Sequence, residues 1–210
     1  VIGVLPGASK PDEAVLYMAH WDHLGKHEGE EGDNIYNGAV DNATGVAGIL
    51  EIAEAFAKQN PAPERSVVFL AVTAEEKGLL GASYYAAHPL APLDKTAAVL
   101  NIEMFSPDGA TRDIASWGKG RVSLEGDLKR VAEAQGRTYS PDPNLEAGFF
   151  YRADHFAFAR AGVPAITVVS SSTPITSNAT GRGIVSIPSS EHLRPRLARR
   201  SESQVSSECR

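Results

Sequence analysis

Cysteine is almost absent from this chain, and so are several other features that often direct interpretation. Among its 210 residues the single cysteine is Cys209, which excludes a disulfide framework or a thiolate metal site within one chain. No apolar run is long enough to cross a bilayer. The net charge is −6 and basic residues form no stripe through the body, so nucleic acid is not expected as a partner. Any metal must be held by histidines and carboxylates.

The remaining composition is that of one globular domain. The hydrophobic content of 42% is enough for a substantial core in a chain of this length. Val1 opens what reads as a strand already under way, without an initiator Met or signal peptide, so we expect an N-terminally incomplete catalytic domain over residues 1–170. From about residue 171, Ser, Thr, Pro and Arg replace the apolar periodicity, which predicts an atypical Ser/Arg-rich, mobile tail over 171–210.

Strand-like apolar runs alternate with helix-like periodic segments along the domain. Strands are predicted at 14–19, 66–73, 97–102, 112–117 and 164–169, with helices beginning near residue 42 and at 81–87, around 124–132 and at 153–161. Asn42 is expected to cap the first helix, although Asn42-Ala43-Thr44 also matches the N-glycosylation pattern. The alternation predicts an α/β fold, a three-layer sandwich around a mostly parallel mixed central sheet.

Polar residues follow the predicted strands at the points where those strands end. They are His20 and Asp22 after the first strand, Asp41 before the first helix, Glu75 and Glu76 after the second strand, Glu103 after the third, and His155 beside the last. In open α/β sheets, ligands bind outside the carboxyl ends of the strands. Imidazoles and carboxylates at that edge predict a metal site, most naturally for zinc. Because Glu75 and Glu76 point in different directions, one can bind a metal while the other acts as a base.

Each of these residues also has a purely structural interpretation. In this interpretation Asp41 is simply a carboxylate at the start of a helix that faces the positive end of the helix dipole, and Glu103 pairs with Arg112. The histidines assigned to ordinary surface or hydrogen-bonded positions are His23, His27, His88 and His192. The structural interpretations are individually reasonable, but together they require five coincidences, so the metal site is favoured.

Four strings of this sequence resemble the co-catalytic two-zinc exopeptidase family, which includes bacterial secreted aminopeptidases, glutamate carboxypeptidases and glutaminyl cyclases. They are residues 19–25 (AHWDHLG), 38–45 (GAVDNATG), 74–81 (AEEKGLLG) and 153–156 (ADHF). The resemblance covers about residues 1–170, with the strings in the family's order. It implies the zinc-dependent exopeptidase type of the α/β sandwich.

The resemblance also implies a role for each residue at the strand ends. Two zinc ions per chain would be bridged by Asp41, with His20 and Glu103 completing one coordination shell and Glu76 and His155 the other. Glu75 would be the general base, taking a proton from the attacking water and passing it to the leaving amine. Asp22 would fix the tautomer of the His20 imidazole.

The expected function is a zinc-dependent exopeptidase acting on peptides, with an aminopeptidase favoured. A carboxypeptidase of the same fold is one alternative, since Glu103 stands where many aminopeptidases of the family carry Asp. An inactive truncated relative is the other, since the tail is atypical. A glutaminyl cyclase would use one zinc ion and would not need His20 and Glu103 as ligands, so the presence of both residues argues against that function. Tyr151 would either stabilise an oxyanion or pack against Phe149 and Phe150. The resemblance implies a secreted or periplasmic location, and nothing indicates the oligomeric state.

Overall fold

The computed structural model describes residues 1–29, 32–106, 111–142 and 144–170. The tail expected over 171–210 lies outside these ranges. The strands are β1 (Ile2–Leu5), β2 (Lys10–His20), β3 (Gly25–Lys26), β4 (Ile35–Tyr36), β5 (Arg65–Val72), β6 (Thr96–Glu103), β7 (Asp113–Trp117), β8 (Thr138–Ser140) and β9 (Ala165–Ser170). The helices are α1 (Ala43–Ala57), α2 (Leu80–Ala87), α3 (Leu124–Ala134) and α4 (His155–Arg160).

Seven of the strands form one mixed sheet in the order β1-β5-β2-β6-β9-β7-β8. The four central strands β5, β2, β6 and β9 run parallel to one another. β1 is antiparallel to β5, β7 is antiparallel to β9, and β8 is parallel to β7. The short strands β3 and β4 pair separately as an antiparallel ribbon. The mostly parallel mixed sheet expected from the sequence is therefore confirmed.

Helices cover both faces of this sheet, so its central strands are apolar on both sides. Along β2, Tyr17 and Ala19 face a core that also contains residues of α1 and α3. The alternate residues Leu16 and Met18 face a second core, which contains residues of α2 and α4. The helices thus form two layers with the sheet between them, and the predicted three-layer sandwich is confirmed.

Helix α1 begins as the sequence predicts. Oδ1 of Asn42 accepts a hydrogen bond from the backbone N–H of Gly45 at 3.1 Å, which satisfies one of the unpaired donors of the first turn. Asn42 is only 1% exposed, so its cap role is confirmed and its amide is inaccessible to a glycan. The buried Ile49 and Ile52 then face the sheet, as the helical period requires.

The observed elements match the predicted ones except where a strand carries few apolar residues. β2 extends back to Lys10 through exposed polar residues, and neither the β3–β4 ribbon nor β8 was expected. These short strands carry too little hydrophobic patterning to be distinguished from loops. Within the described ranges, no helix is long and apolar enough to span a membrane.

Candidate metal centre

The candidate site lies where three adjacent parallel strands end. His20 is the last residue of β2 and Glu103 is the last of β6, while the Glu75–Glu76 pair follows β5 on the other side of β2. Parallel neighbours present their carboxyl ends at one edge, which explains why residues far apart in the chain meet here. Asp41 reaches the same edge from the loop before α1, with Oδ1 3.2 Å from Nε2 of His20.

The imidazole of His20 presents its outer nitrogen to Asp41. Nδ1 donates to the backbone carbonyl of Asp22 at 3.1 Å, which leaves the lone pair of a neutral ring on Nε2. That lone pair and the Asp41 carboxylate are both acceptors, so a proton or a cation must lie between them. In the metal-free protein a proton lies between Nε2 of His20 and the Asp41 carboxylate. Although burial lowers the pKa of His20, the hydrogen bond to Asp41 and the charges of Glu75 and Glu103 raise it to about 9.

A second cluster of ligand atoms adjoins the first through Asp41. One atom each from His23, Asp41 and Glu76 lie within 4.8 Å of one another. Nδ1 of His23 is 2.7 Å from Oε1 of Glu76 but has no hydrogen-bond partner of acceptable geometry among the described residues. His23 was assigned to an ordinary position from the sequence, but its imidazole lies beside two of the predicted metal ligands. Its place in the string at 19–25 was the available signal.

Glu103 is held in a buried polar network. Nδ2 of Asn101 donates to Oε1 of Glu103 at 2.6 Å and lies 3.1 Å from Oγ1 of Thr167 on the neighbouring strand β9. Burial raises the pKa of Glu103 to about 8, while the hydrogen bond from Asn101 opposes the rise. The structure thus gives Glu103 a buried partner, whereas Arg112 is exposed. The alternative of a surface pair between Glu103 and Arg112 is not observed.

His155 belongs to the same buried network but not to the cluster at His23. Its Nδ1 lies 2.6 Å from Oγ1 of Thr167, and its ring contacts Phe150 edge-on at 4.7 Å between centroids. Burial lowers the pKa of His155 to about 3, so the ring is neutral. Nε2 is buried and has no partner within the described parts of the chain. Its assignment as a zinc ligand stays a prediction, with Nε2 as the atom that remains to bind.

Asp154 is a buried acid that the sequence did not single out. Its side chain is fully buried, and neither carboxylate oxygen has a hydrogen-bond partner among the residues that the structure describes. Burial raises the pKa of Asp154 to about 7, and the charge of Glu75 adds to the rise. An unpartnered buried carboxylate is costly unless a proton or a cation compensates it. Its position directly before His155 was the only sequence signal.

Asp22 positions the glutamate pair. Its Oδ1 accepts from the backbone N–H of Glu75 at 3.2 Å and its Oδ2 from that of Glu76 at 3.4 Å. The carboxylate lies 3.8 Å from Nδ1 of His20, so the bond that selects the His20 tautomer comes from the backbone carbonyl of Asp22 instead. The residue before the pair, Ala74, has a φ of 58°, a left-handed conformation that turns the chain sharply after β5.

The pKa of Glu75 suits a base that works near neutral pH. Burial raises the pKa of Glu75 to about 7 in the metal-free protein, the charge of His20 opposes the rise, and Glu76 adds to it. A carboxylate whose pKa lies close to the working pH is both available to accept a proton and able to release it again. This environment distinguishes Glu75 from its neighbour Glu76, whose oxygen faces His23.

The side chains of Asn42 and Thr44 fasten the start of α1 to the end of β6. Nδ2 of Asn42 donates to the carbonyl of Ile102 at 3.0 Å, and Oδ1 accepts from the N–H of Met104 at 3.3 Å. Oγ1 of Thr44 accepts from the N–H of Phe105 at 3.0 Å. Asp41 and Glu103 lie directly beside these bonds in the chain. These bonds of Asn42 and Thr44, which we call the clamp, therefore keep the carboxylates of Asp41 and Glu103 on the same side of the rim.

The side chains at this edge of the sheet fit a zinc site. Imidazole nitrogens and carboxylate oxygens are the zinc ligands available without cysteine. His23, Asp41 and Glu76 bring one ligand atom each within 4.8 Å of the others, and the facing acceptors of His20 and Asp41 are stabilised by a proton or a cation between them. Burial and nearby acids raise the pKa values of Glu75 and Glu103, and a bound cation would lower these values again.

Known proteins are similar to this chain in sequence and in fold. The sequence model of peptidase family M28 matches residues 1–186. A probable zinc metalloprotease of Pyrenophora teres f. teres is 33% identical over 156 residues, which are 65% of this chain and 33% of that protein. Aminopeptidase NAALADL1 of Mus musculus is 32% identical over 167 residues, 69% of this chain and 21% of that protein. The chain thus spans about a third of the length of the fungal relative and less of the mouse one.

A solved structure agrees with the fold described above. BSAP, a zinc aminopeptidase from Bacillus subtilis, superposes with a TM-score of 0.63 at 22% identity, covering 85% of this chain and 41% of that one. The match to the family model confirms the resemblance found in the four sequence strings. Since the match covers most of its length, this chain belongs to peptidase family M28.

Proposed function

We propose that this chain carries the catalytic site of a zinc-dependent aminopeptidase that removes N-terminal residues from peptides. The observation that carries the proposal is the paired arrangement at Asp41. On one side its carboxylate faces Nε2 of His20, and on the other it adjoins His23 and Glu76. A carboxylate between two sets of ligand atoms is suited to bridge two metal ions, and paired metals are a recurrent solution for aminopeptidases.

The same proposal assigns two zinc ions to the side chains around Asp41. His20 and Glu103 would serve one side of Asp41, and Glu76 the other. His23 is the imidazole observed beside Glu76, while His155 remains the ligand predicted for that side. Zinc bound here would supply Lewis-acid polarisation of the scissile carbonyl and lower the pKa of the attacking water.

Glu75 is proposed as the general base. Its carboxylate would take a proton from the attacking water and later deliver it to the leaving amine, which a pKa near 7 allows in both directions. Asp22 would support this role by holding the backbone amides of Glu75 and Glu76, so that the two side chains keep their separate directions. Its contribution is therefore to position the base.

Tyr151 lies at the edge of the cavity beside the glutamate pair. The ring is 49% exposed and packs edge-on against Phe150 and Phe156, with centroid separations of 5.3 Å and 5.2 Å. The packing expected on Phe150 is thus observed, and the hydroxyl remains available to donate to an oxyanion. This second role stays a proposal.

The test begins with zinc content by elemental analysis of the folded full chain, and continues with hydrolysis of amino-acid p-nitroanilides. We expect two zinc ions per chain and turnover that a chelator abolishes. Glu75→Gln should retain its zinc and lose roughly 100- to 10,000-fold of kcat. The matched control is Glu51→Gln, which removes an exposed carboxylate on α1 and should keep wild-type activity. Near-normal turnover by Glu75→Gln would refute its role as base.

A carboxypeptidase of the same fold is the second candidate, because two arginines line the cavity at the rim. Peptides blocked at the N-terminus but free at the C-terminus separate the two activities. The secreted or periplasmic location inferred from the resemblance stays a prediction.

A further inference from the structure

A cavity of about 450 Å³ opens directly beside the glutamate pair. Two segments of the chain line it. One runs from Glu75 to Ser83, through the turn after β5 and into α2, and the other runs from Tyr151 to Arg160, along α4. Because Glu75 and Glu76 form part of its wall, a substrate whose scissile bond lies beside them must place a neighbouring group in this cavity.

Arg152 and Arg160 give the cavity a positively charged wall, whereas Glu75 and Glu76 are acidic. Each guanidinium lies over an aromatic ring, Arg152 at 5.5 Å from the centroid of Phe149 and Arg160 at 5.9 Å from that of Phe156. A guanidinium within about 6 Å of a ring centroid is attracted by the electron-rich face of the ring. This attraction restrains the two cations without using their N–H groups as hydrogen-bond donors.

Neither arginine has an ion-pair partner in the part of the chain that the structure describes, although other arginines such as Arg65 and Arg130 have such partners. A planar guanidinium with vacant in-plane donors matches a carboxylate, which it binds through two parallel hydrogen bonds. Phe156 and Leu79 add apolar surface to the wall, against which the hydrocarbon part of a substrate side chain can pack.

We propose that Arg152 and Arg160 form a carboxylate-binding subsite that selects substrates carrying a carboxylate next to the scissile bond. The inference rests on the proposed peptidase function and extends it to the substrate class. The carboxylate has two possible sources, the side chain of an acidic residue and the C-terminal carboxylate of the peptide. The first source belongs to an aminopeptidase selective for Asp or Glu, and the second to a carboxypeptidase.

The experiment measures binding by isothermal titration calorimetry to the full chain, with and without zinc, so that it does not depend on turnover. One pair of probes is glutamic acid α-amide and glutamine amide, which differ only in the side-chain carboxylate. The other pair is leucine and leucinamide, which differ only in the α-carboxylate. We expect the carboxylate member to bind at least about tenfold more tightly in one of the pairs, which identifies the source.

Substitutions then assign the preference to the two residues. Arg152→Gln and Arg160→Gln should each reduce the ratio of affinities, and the double variant should bring it close to one. Arg112→Gln is the matched control, because it removes an exposed arginine that does not line the cavity, and it should retain the wild-type ratio. Both target residues are exposed, so loss of folding is not expected, and circular dichroism verifies this.

The possible outcomes separate this inference from the proposed function. Equal binding within both pairs, or a preference that survives in the double variant, overturns the subsite. A zinc-loaded chain that hydrolyses neither N-terminal nor C-terminal peptide bonds overturns the proposed function, while an arginine-dependent preference in binding would still support the subsite. Hydrolysis without any carboxylate preference overturns the subsite alone.

Discussion

Replacing Asn42 with alanine removes a side chain that joins the start of α1 to the end of β6. The amide is 1% exposed and makes three hydrogen bonds, to the N–H of Gly45, the N–H of Met104 and the carbonyl of Ile102. In Asn42→Ala these three backbone groups lose their partner.

The cost follows from the number of groups left unpaired. A buried donor or acceptor without a partner costs about 1–3 kcal/mol, so three groups at the lower limit amount to about 3 kcal/mol. The loss of an N-cap alone accounts for about 1 kcal/mol of this. For a domain of this size, a loss of 3 kcal/mol lowers the melting temperature by about 6–12 °C.

Urea unfolding of the metal-free protein in chelator, followed by circular dichroism, measures this cost. Asn37→Ala is the control, because Asn37 is exposed and makes one hydrogen bond of 3.3 Å to the carbonyl of Ile35. Its expected cost is below about 0.5 kcal/mol. Zinc should stabilise Asn42→Ala less than Asn37→Ala, since the clamp keeps Asp41 and Glu103 on one side. Equal stability of the two variants would refute the reasoning.

Two further predictions concern the backbone and the buried acids. Gly45→Ala should cost on the order of 2 kcal/mol, because an added Cβ would lie 2.3 Å from Oδ1 of Asn42 and 2.4 Å from the carbonyl oxygen of Ile102. Gly126→Ala, where an added Cβ meets nothing within 4 Å, should gain about 0.4–1 kcal/mol, and equal shifts in thermal melts would contradict the contrast. Burial raises the pKa of Asp154 from 3.8 to about 7, so the folded metal-free chain retains a proton that the unfolded chain releases in this window. The contribution of Asp154 to stability should therefore fall as pH rises from 4 to 7, by up to about 1.4 kcal/mol per pH unit, and urea titrations should show a shallower fall for Asp154→Asn. Identical slopes would refute the assignment.

Much of the fold is predictable from the sequence because its causes are local. The run from Val67 to Val72 is apolar at every position, which is typical of a strand covered on both faces, and β5 lies there. Asn42 has the side chain that an N-cap needs, directly before a segment with helical periodicity, and α1 begins there. Weakly patterned strands such as Thr138–Ser140 were not predicted, because only pairing with β7 makes them strands.

The rim itself was also predictable, since the carboxyl ends of parallel strands meet at one edge of the sheet. The strand ends marked by His20, Glu75 and Glu103 therefore predict a candidate metal site at this edge. The four strings added the family, which the match over residues 1–186 shows. The strings assigned roles to individual residues as well, and those assignments remain proposals.

The sequence by itself thus determined the strongly patterned elements, their layers and the edge at which the candidate ligands lie, because hydrophobic period and strand-end position are properties of neighbouring residues. Only the tertiary structure placed His23 beside Glu76, gave the Asp22 carboxylate to the amides of the glutamate pair, and joined His155 to Thr167. Each of these contacts joins separate segments of the chain. Their directions depend on how loops and strands pack, which no local pattern encodes.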